Sequence, residues 1–194
     1  MDCGEACARM VLKFCSSPHE LALGQLTQPC WSVDLFIFLK QCGVDAVFFT
    51  LVRGFSPDNQ NLAWYGNNMR SADIDRCNEQ FALAERRGWD VQHAGALTMA
   101  DIATRVSDPD CVAVVLVDDS FLKRRATESY AGHYVLLTGC DGPDTVVYLD
   151  PATDDAPRRM SRNDFDTARS LQGTDCDIVF CRRRKQSDPP GEAR

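Results

Sequence analysis

Residues 132–151, GHYVLLTGCDGPDTVVYLDP, contain two apolar runs separated by a segment rich in glycine, aspartate and proline. The runs are rich in β-branched and aromatic residues, which favours strands, and the residues between them are typical of turns. The segment therefore predicts a β-hairpin. If the hairpin closes symmetrically about Asp141 and Gly142, His133 faces Asp150 across it. Side chains opposed on one face have Cβ atoms about 4.5 to 5.5 Å apart, so this register predicts an imidazole–carboxylate pair at the open end.

The stretches on either side of the hairpin predict a mixed fold. Periodic apolar patterns and capping residues predict helices over residues 3–15, over 33–42 after Ser32 as cap, over 71–88, from Thr98 to about 107, and over 161–171. Apolar runs predict further strands over residues 44–52, 89–92, 111–117 and 177–181. Helices dominate the N-terminal half and strands the C-terminal half. We therefore predict the α+β class, with N-terminal helices packed on a largely antiparallel sheet.

Composition limits the architecture and the classes of partner. A chain of 194 residues with 44% hydrophobic content can bury one full core, so we predict a single domain over 1–183 and a disordered tail over 184–194. The net charge of -7 leaves no basic stripe for phosphates, which argues against nucleic-acid binding. No long apolar run or signal-peptide pattern is present, so no membrane partner is expected and the expected location is cytoplasmic or nuclear.

The chain has ten cysteines, at positions 3, 7, 15, 30, 42, 77, 111, 140, 176 and 181. Because the chain is neither small nor visibly secreted, we expect most of them to be reduced thiols packed as small hydrophobic residues. No CxxC pair occurs, so no zinc site is expected. Cys7, one helical turn after Cys3, is expected to pack in the core.

Cys3 differs from the other cysteines because it begins a predicted helix, directly before Gly4. A thiol at a helix N-terminus lies in a positive dipole field that favours the thiolate, and a nearby imidazolium would lower its pKa further. Cys3, His133 and Asp150 thus form a candidate nucleophile, base and orienting group for attack on an acyl carbon. Each also has a plain structural interpretation: a buried cysteine, a strand-edge histidine and a turn-forming aspartate before a proline.

The order of these three residues is similar to that in papain-like cysteine peptidases, in which the histidine follows the cysteine by about 130 residues. The segments DCGEAC and GHYV resemble more specifically the bacteriocin-processing branch of that fold. Five segments in order, DCGEACARMVL, WSVDL, GHYVLLTGCD, YLDPA and ARSLQGTDCDIVF, resemble the eukaryotic guanylyl cyclase domain-containing family, including its plant members, over residues 2–181. The resemblance implies a papain-like fold and a hydrolase with a peptide or protein substrate.

The family's name implies a second function, conversion of GTP to cyclic GMP. Nucleotidyl cyclases use carboxylates to hold two metal ions, so Mg²⁺ or Mn²⁺ would be required with GTP, and no cofactor is expected otherwise. Adjacent acids occur at Asp118 with Asp119 and at Asp154 with Asp155. However, the sequence shows no glycine-rich phosphate loop, and adjacent acids in loops are more often solvated surface. The cyclase therefore ranks second.

A third interpretation is an inactive, peptidase-like binding module. Papain-like enzymes supply an oxyanion donor, normally a glutamine, from just upstream of the nucleophile, whereas only Met1 and Asp2 precede Cys3. Loss of one such donor typically lowers turnover about a hundred- to a thousandfold. Gln25 or Gln28 would have to be brought close by folding to replace it.

Overall fold

The computed structural model describes residues 2–17, 26, 29–124, 130–153 and 156–183. Its strands are β1 (Asp45–Thr50), β2 (Val91–His93), β3 (Cys111–Asp118), β4 (Gly132–Cys140), β5 (Thr145–Leu149), β6 (Arg158–Ser161) and β7 (Ile178–Arg182). They form one sheet in the order β2-β1-β7-β3-β4-β5-β6. Strands β1 and β2 are parallel, and every other neighbouring pair in this sheet is antiparallel. The α+β class and the largely antiparallel sheet are therefore confirmed.

The helices of the described residues are α1 (Cys3–Phe14), α2 (Ser32–Gln41), α3 (Ala63–Asn68), α4 (Ser71–Arg86), α5 (Met99–Val106), α6 (Asp119–Leu122) and α7 (Arg162–Ser170). Two 3₁₀ segments cover Pro57–Asn61 and Ala94–Ala96. The five helices predicted from the sequence are confirmed to within about two residues. Helices α3 and α6 and strand β6 were not predicted, and the predicted tail at 184–194 lies outside the described residues.

The sheet is covered by helices on both faces. Helices α1 and α2 pack against β4 and β1, and α4 packs on α2. Helices α5 and α7 pack against β3, and α5 also contacts β4. The two cores divide the side chains of β4 by alternation, since Tyr134 and Leu136 belong to the α1 and α2 side and Val135 and Leu137 to the other.

Local hydrogen bonds explain where the helices of the N-terminal half begin. The carboxylate of Asp2 accepts a hydrogen bond from the N–H of Gly4 at 2.7 Å, so α1 begins at Cys3. The prediction that Ser32 caps α2 is wrong, because Ser32 is already the first helical residue. The residue before it, Trp31, donates its N–H to Asp34 Oδ2 at 3.1 Å. A carboxylate three residues into the helix thus fixes its first turn.

The hairpin forms, but its predicted register is wrong. Leu137 pairs with Tyr148 rather than with Val146, so β5 is shifted by two residues from the predicted pairing. The turn is wider than expected, because the N–H of Asp141 bonds the carbonyl of Thr145 at 2.9 Å and places the turn centre at residue 143. The wider turn alone would shift the pairing by three residues. A β-bulge between residues 137 and 139 reduces this shift to two. Because the final shift is even, every side chain keeps the face that was predicted for it.

Candidate active site

The side chains of His133 and Asp150 are joined in a buried hydrogen bond. His133 Nε2 and Asp150 Oδ1 are 2.8 Å apart, and the two residues are 7% and 3% exposed. His133 is near the start of β4, opposite Val117 of β3, and Asp150 directly follows β5. The corrected register makes them diagonal rather than directly opposed, but they still share one face of the sheet. The predicted imidazole–carboxylate pair is therefore present.

The environment of Asp150 favours its ionised form. Burial raises the pKa of this carboxyl group, but the hydrogen bond from His133 and a second one from the N–H of Ala152 at 2.9 Å outweigh burial, and the net pKa is lowered. An ionised Asp150 accepts hydrogen bonds only, so His133 Nε2 carries the proton that they share. In the neutral imidazole, the other ring nitrogen, Nδ1, carries no proton and can act as a base.

Cys3 is the first residue of α1, as predicted, but its thiol is not activated in the way that the sequence suggested. Burial is the largest influence and raises the pKa of Cys3, and the negative charge of Asp2 acts in the same direction. Backbone hydrogen bonding from Tyr134 and Gly4 opposes the shift without cancelling it. The expected depression of the thiol pKa is therefore not present in the resting protein, since desolvation outweighs the helix dipole.

The structure brings Cys3 to the strand that holds His133. The backbone of Tyr134, the residue after His133, is close enough to the Cys3 sulfur to lower the pKa of the thiol. Cys7, one turn further along α1, is fully buried, and its pKa is raised by burial and then by the charges of Cys3 and Asp150. Cys3 and Asp150 are therefore both close to Cys7 on α1. Among the hydrogen bonds of the described residues, however, none joins Cys3 to His133.

Cys3 lines a cavity between α1, the loop before α2 and the sheet. The cavity has a volume of about 130 Å³. Most of the wall is apolar or aromatic, and it includes Trp31, Phe48, Phe55, Tyr65, Phe81, Tyr130 and Tyr134. Trp31 and Tyr65 therefore contribute aromatic rings to the cavity wall. Trp89 packs edge-on against Phe36 instead.

Several residues considered from the sequence have structural roles. Gly4 allows Cys30 to pack closely, because a Cβ at Gly4 would lie 3.0 Å from the Cys30 sulfur. Asp118 accepts a hydrogen bond from the N–H of Ser120 at the start of α6, and Asp119 pairs with Lys123 at 2.7 Å. Asp118 is buried and Asp119 is partly buried, so neither is the solvated surface acid that the sequence suggested; Asp118 caps α6 and Asp119 pairs within it.

The two histidines besides His133, and the remaining acids and glutamines considered from the sequence, fall into two groups. His93 is exposed, and its Nδ1 accepts a hydrogen bond from the N–H of Gly95. His19, Gln25, Gln28, Asp154 and Asp155 lie outside the described residues. In the described ranges, no three His, Cys, Asp or Glu side chains are grouped as a metal site would require. None of the described helices is long and apolar enough to cross a membrane.

Sequence reasoning did not identify four acids and an arginine near the cavity. Asp175 and Asp177 line it, and burial raises the pKa of both. Arg76 of α4 bonds the carboxylates of Asp34 and Asp73 and the carbonyl of Pro29, at 2.8 to 3.3 Å. The only signal in the sequence was the position of Asp175 and Asp177 directly before a strand. Nothing in the local pattern marked them as cavity residues.

Comparisons with known proteins agree with the resemblance seen in the sequence. A family model described as guanylylate cyclase matches residues 1–181. A relative described as Guanylyl cyclase 1, from Arabidopsis thaliana, is 28% identical over 197 residues, which covers 92% of this chain and 71% of the relative. No solved structure matches the chain. The match to nearly the whole chain shows that this protein belongs to the guanylylate cyclase family.

Proposed function

We propose that this protein is a thiol hydrolase that cleaves an amide or related acyl bond in a peptide or protein, with Cys3 as nucleophile, His133 as base and Asp150 as orienting group. The observation that supports this proposal best is the buried 2.8 Å hydrogen bond between His133 and Asp150. This hydrogen bond orients the imidazole: one ring nitrogen is bonded to the carboxylate, and the other can accept a proton. A cysteine at the start of α1, on the wall of an apolar cavity, supplies the nucleophile.

The chemistry follows from the protonation states. The Cys3 thiol is neutral in the resting protein, so His133 Nδ1 takes its proton while the sulfur bonds the acyl carbon. The N–H of Cys3, at the first position of α1, is free of helical partners and can stabilise the oxyanion. The carbon–nitrogen bond then breaks as His133 returns the proton to the leaving amine. Water, deprotonated by His133, attacks the thioester, and the carbon–sulfur bond breaks to release a carboxylic acid and the Cys3 thiol.

Selective alkylation of Cys3 tests this proposal. In native protein treated with limiting iodoacetamide at pH 7, peptide mass spectrometry should find Cys3 modified at least tenfold faster than Cys15, Cys140 and Cys176, which are also partly exposed. The variant His133→Ala should lose that advantage, because it lacks the base. His93→Ala, which removes an exposed histidine, is the matched control and should keep it. Equal, slow modification of all four cysteines would overturn the proposal.

Guanylyl cyclase activity is the second candidate function, and the name of the Arabidopsis relative favours it. The cavity favours it less, since no Lys, Arg or His occurs among the described residues that line it, and a triphosphate would have to be neutralised there. Incubation with GTP and either Mg²⁺ or Mn²⁺ distinguishes the two functions. Cyclic GMP formation that survives Cys3→Ser would support the cyclase over the hydrolase.

A folded protein with neither activity would be a noncatalytic binding module of peptidase-like architecture, because a fold does not fix a function. In that case Cys3→Ala should leave partner binding and cellular effects unchanged. Under the hydrolase proposal, the same substitution traps or protects substrates and changes both.

A further inference from the structure

The cavity that Cys3 lines also contains the carboxyl groups of Asp175 and Asp177. Asp175 is satisfied, because Asn59 Nδ2 donates to its two oxygens at 3.0 and 3.1 Å. Asp177 differs, since its Oδ1 atom is covered and has no hydrogen-bond partner within the part of the chain that is described. A covered carboxyl oxygen without a donor costs about 1 to 3 kcal/mol, a cost that a bound hydrogen-bond donor would remove.

The sheet sets the distance between Asp177 and the nucleophile. The carbonyl of Asp177, just before β7, accepts a hydrogen bond from the N–H of Leu116 in β3 at 3.0 Å. Leu116 in turn pairs with Tyr134 of β4, whose backbone is close enough to the Cys3 sulfur to lower the pKa of the thiol. Asp177 is therefore two strand spacings from Tyr134, about 10 Å away. An extended lysine or arginine side chain, with the hydrogen bond at its tip, spans such a distance.

Aromatic rings line the same cavity. The rings of Trp31 and Tyr65 are stacked with centroids 5.9 Å apart, and those of Tyr65 and Tyr130 with centroids 5.8 Å apart. Phe55 packs against Tyr65 from another direction, with centroids 5.8 Å apart. Faces of such rings attract ammonium and guanidinium groups. The apolar wall would also accept the methylene stem of a long basic side chain.

The charges in the cavity have one sign. Three of the described lining residues are aspartates, Asp2, Asp175 and Asp177, and none is a lysine, arginine or histidine. Burial raises the pKa of Asp177, and the neighbouring Asp175 adds to the shift, so a cation entering the cavity would relieve both effects. The hydroxyl groups of Ser32 and Thr50 interact with the Asp177 side chain through hydrogen bonds that lower its pKa, but no described residue that lines the cavity brings it a positive charge.

We propose that Asp177 determines substrate specificity, by binding the ammonium or guanidinium group of a lysine- or arginine-like side chain next to the acyl carbon that Cys3 attacks. This inference rests on the proposed hydrolase function and names its substrate class. The basic group displaces water from the aromatic wall and forms an ion pair with Asp177. The scissile carbonyl then lies at the mouth of the cavity beside Cys3.

A binding experiment tests the inference without using the thiol chemistry. Cys3→Ser protein is titrated calorimetrically with N-acetyl-lysine N-methylamide and with its norleucine analogue, which has a similar stem but no charge. The lysine compound should bind at least tenfold more tightly. Asp177→Asn, which preserves shape and removes the charge, should abolish the difference, and Asp141→Asn, at an exposed position, should preserve it.

Equal binding of the two compounds, or a preference for lysine that survives Asp177→Asn, would overturn the inference. A second readout applies to the protein with Cys3 intact: the lysine compound should slow alkylation of Cys3, and the norleucine compound should not. If Cys3 shows no selective alkylation but the lysine preference depends on Asp177, the hydrolase proposal fails while the cation site stands. If Cys3 is selectively alkylated without any lysine preference, the hydrolase stands and the cation site fails.

Discussion

His133 and Asp150 form a 2.8 Å hydrogen bond although they are diagonal, not opposite, in the pairing of β4 with β5. Their contact depends on two compensating features of the hairpin, the wide turn centred at residue 143 and the bulge before Gly139. Without the bulge, the register would differ by one residue and the two side chains would project from opposite faces. The bulge therefore positions the candidate base.

The first prediction concerns Asp150 and pH. Asp150→Ala leaves His133 Nε2 and the N–H of Ala152 without their acceptor and should lower the free energy of unfolding by about 1 to 3 kcal/mol at pH 7. Asp150→Asn keeps an acceptor oxygen and should cost less. Since the pKa of Asp150 is lowered in the folded state, its charge stabilises the fold above the unfolded pKa of about 3.9. That contribution is lost as the pH falls through the lowered value.

Urea unfolding of wild type and Asp150→Asn, measured in steps from pH 6 downward, checks the sign. The two unfolding free energies should converge as the medium becomes more acidic than about pH 4. A gap that widens in acid would contradict the assignment of Asp150 as the ionised partner.

The second prediction concerns the ion-pair network of α4. Arg76→Ala should lower the free energy of unfolding by about 3 to 5 kcal/mol, because it leaves Asp34 buried without its cation. Arg159→Ala is the matched control, since the bond between Arg159 and Asp141 is exposed on both sides and should contribute no more than about 1 kcal/mol. Thermal or urea unfolding measures both. Equal losses would show that burial does not govern these pairs.

The third prediction concerns the ionisation of Cys3. Because burial outweighs the helix dipole, the Cys3 thiol should titrate above its ordinary pKa of 9.0 in the absence of substrate. The difference in thiolate ultraviolet absorbance between wild type and Cys3→Ser isolates this one group from the other nine cysteines. A midpoint below the ordinary value would mean that Cys3 exists as a preformed ion pair with an imidazolium.

The fourth prediction concerns Gly173, which has φ +101° and borders the aromatic wall. A Cβ there would lie 2.9 Å from Leu62 and Tyr130, so Gly173→Ala must displace the Tyr130 ring as well as strain the backbone. Gly43, at φ +76° with no atom within 4 Å of a Cβ, reports the backbone cost alone, about 1 to 2 kcal/mol. Unfolding measurements should show a loss at Gly173→Ala that is larger by about 1 kcal/mol or more. Equal losses of unfolding free energy at the two positions would show that the Tyr130 ring moves aside at no measurable cost.

Much of the fold follows from local sequence patterns. The helix at 3–14 has an aspartate cap and an apolar stripe, and the capping box of Thr98 and Asp101 forms as its spacing indicates. Elements α3, α6 and β6 were not predicted because segments of four to six residues contain too little periodicity to be distinguished from loops.

The candidate site was only partly predictable. His133 and Asp150 are close in sequence, so hairpin geometry alone could bring them together. The state of Cys3 depends on what covers it, and Asp177 becomes a cavity residue only once β7 is inserted between β1 and β3. Such burial results from contacts between segments more than a hundred residues apart, which local patterns do not contain.

The position of β7 has a further consequence for biosynthesis. Strands β1 and β2 form one group and β3 to β6 another, and β7, the last described strand in sequence order, is the bridge between them. Until the ribosome has released residues 178–182, both groups present an open edge that can recruit strands from other chains. Premature termination or proteolysis before this strand should therefore yield insoluble material rather than a partly active protein. Chaperones would be needed until β7 pairs with both edges.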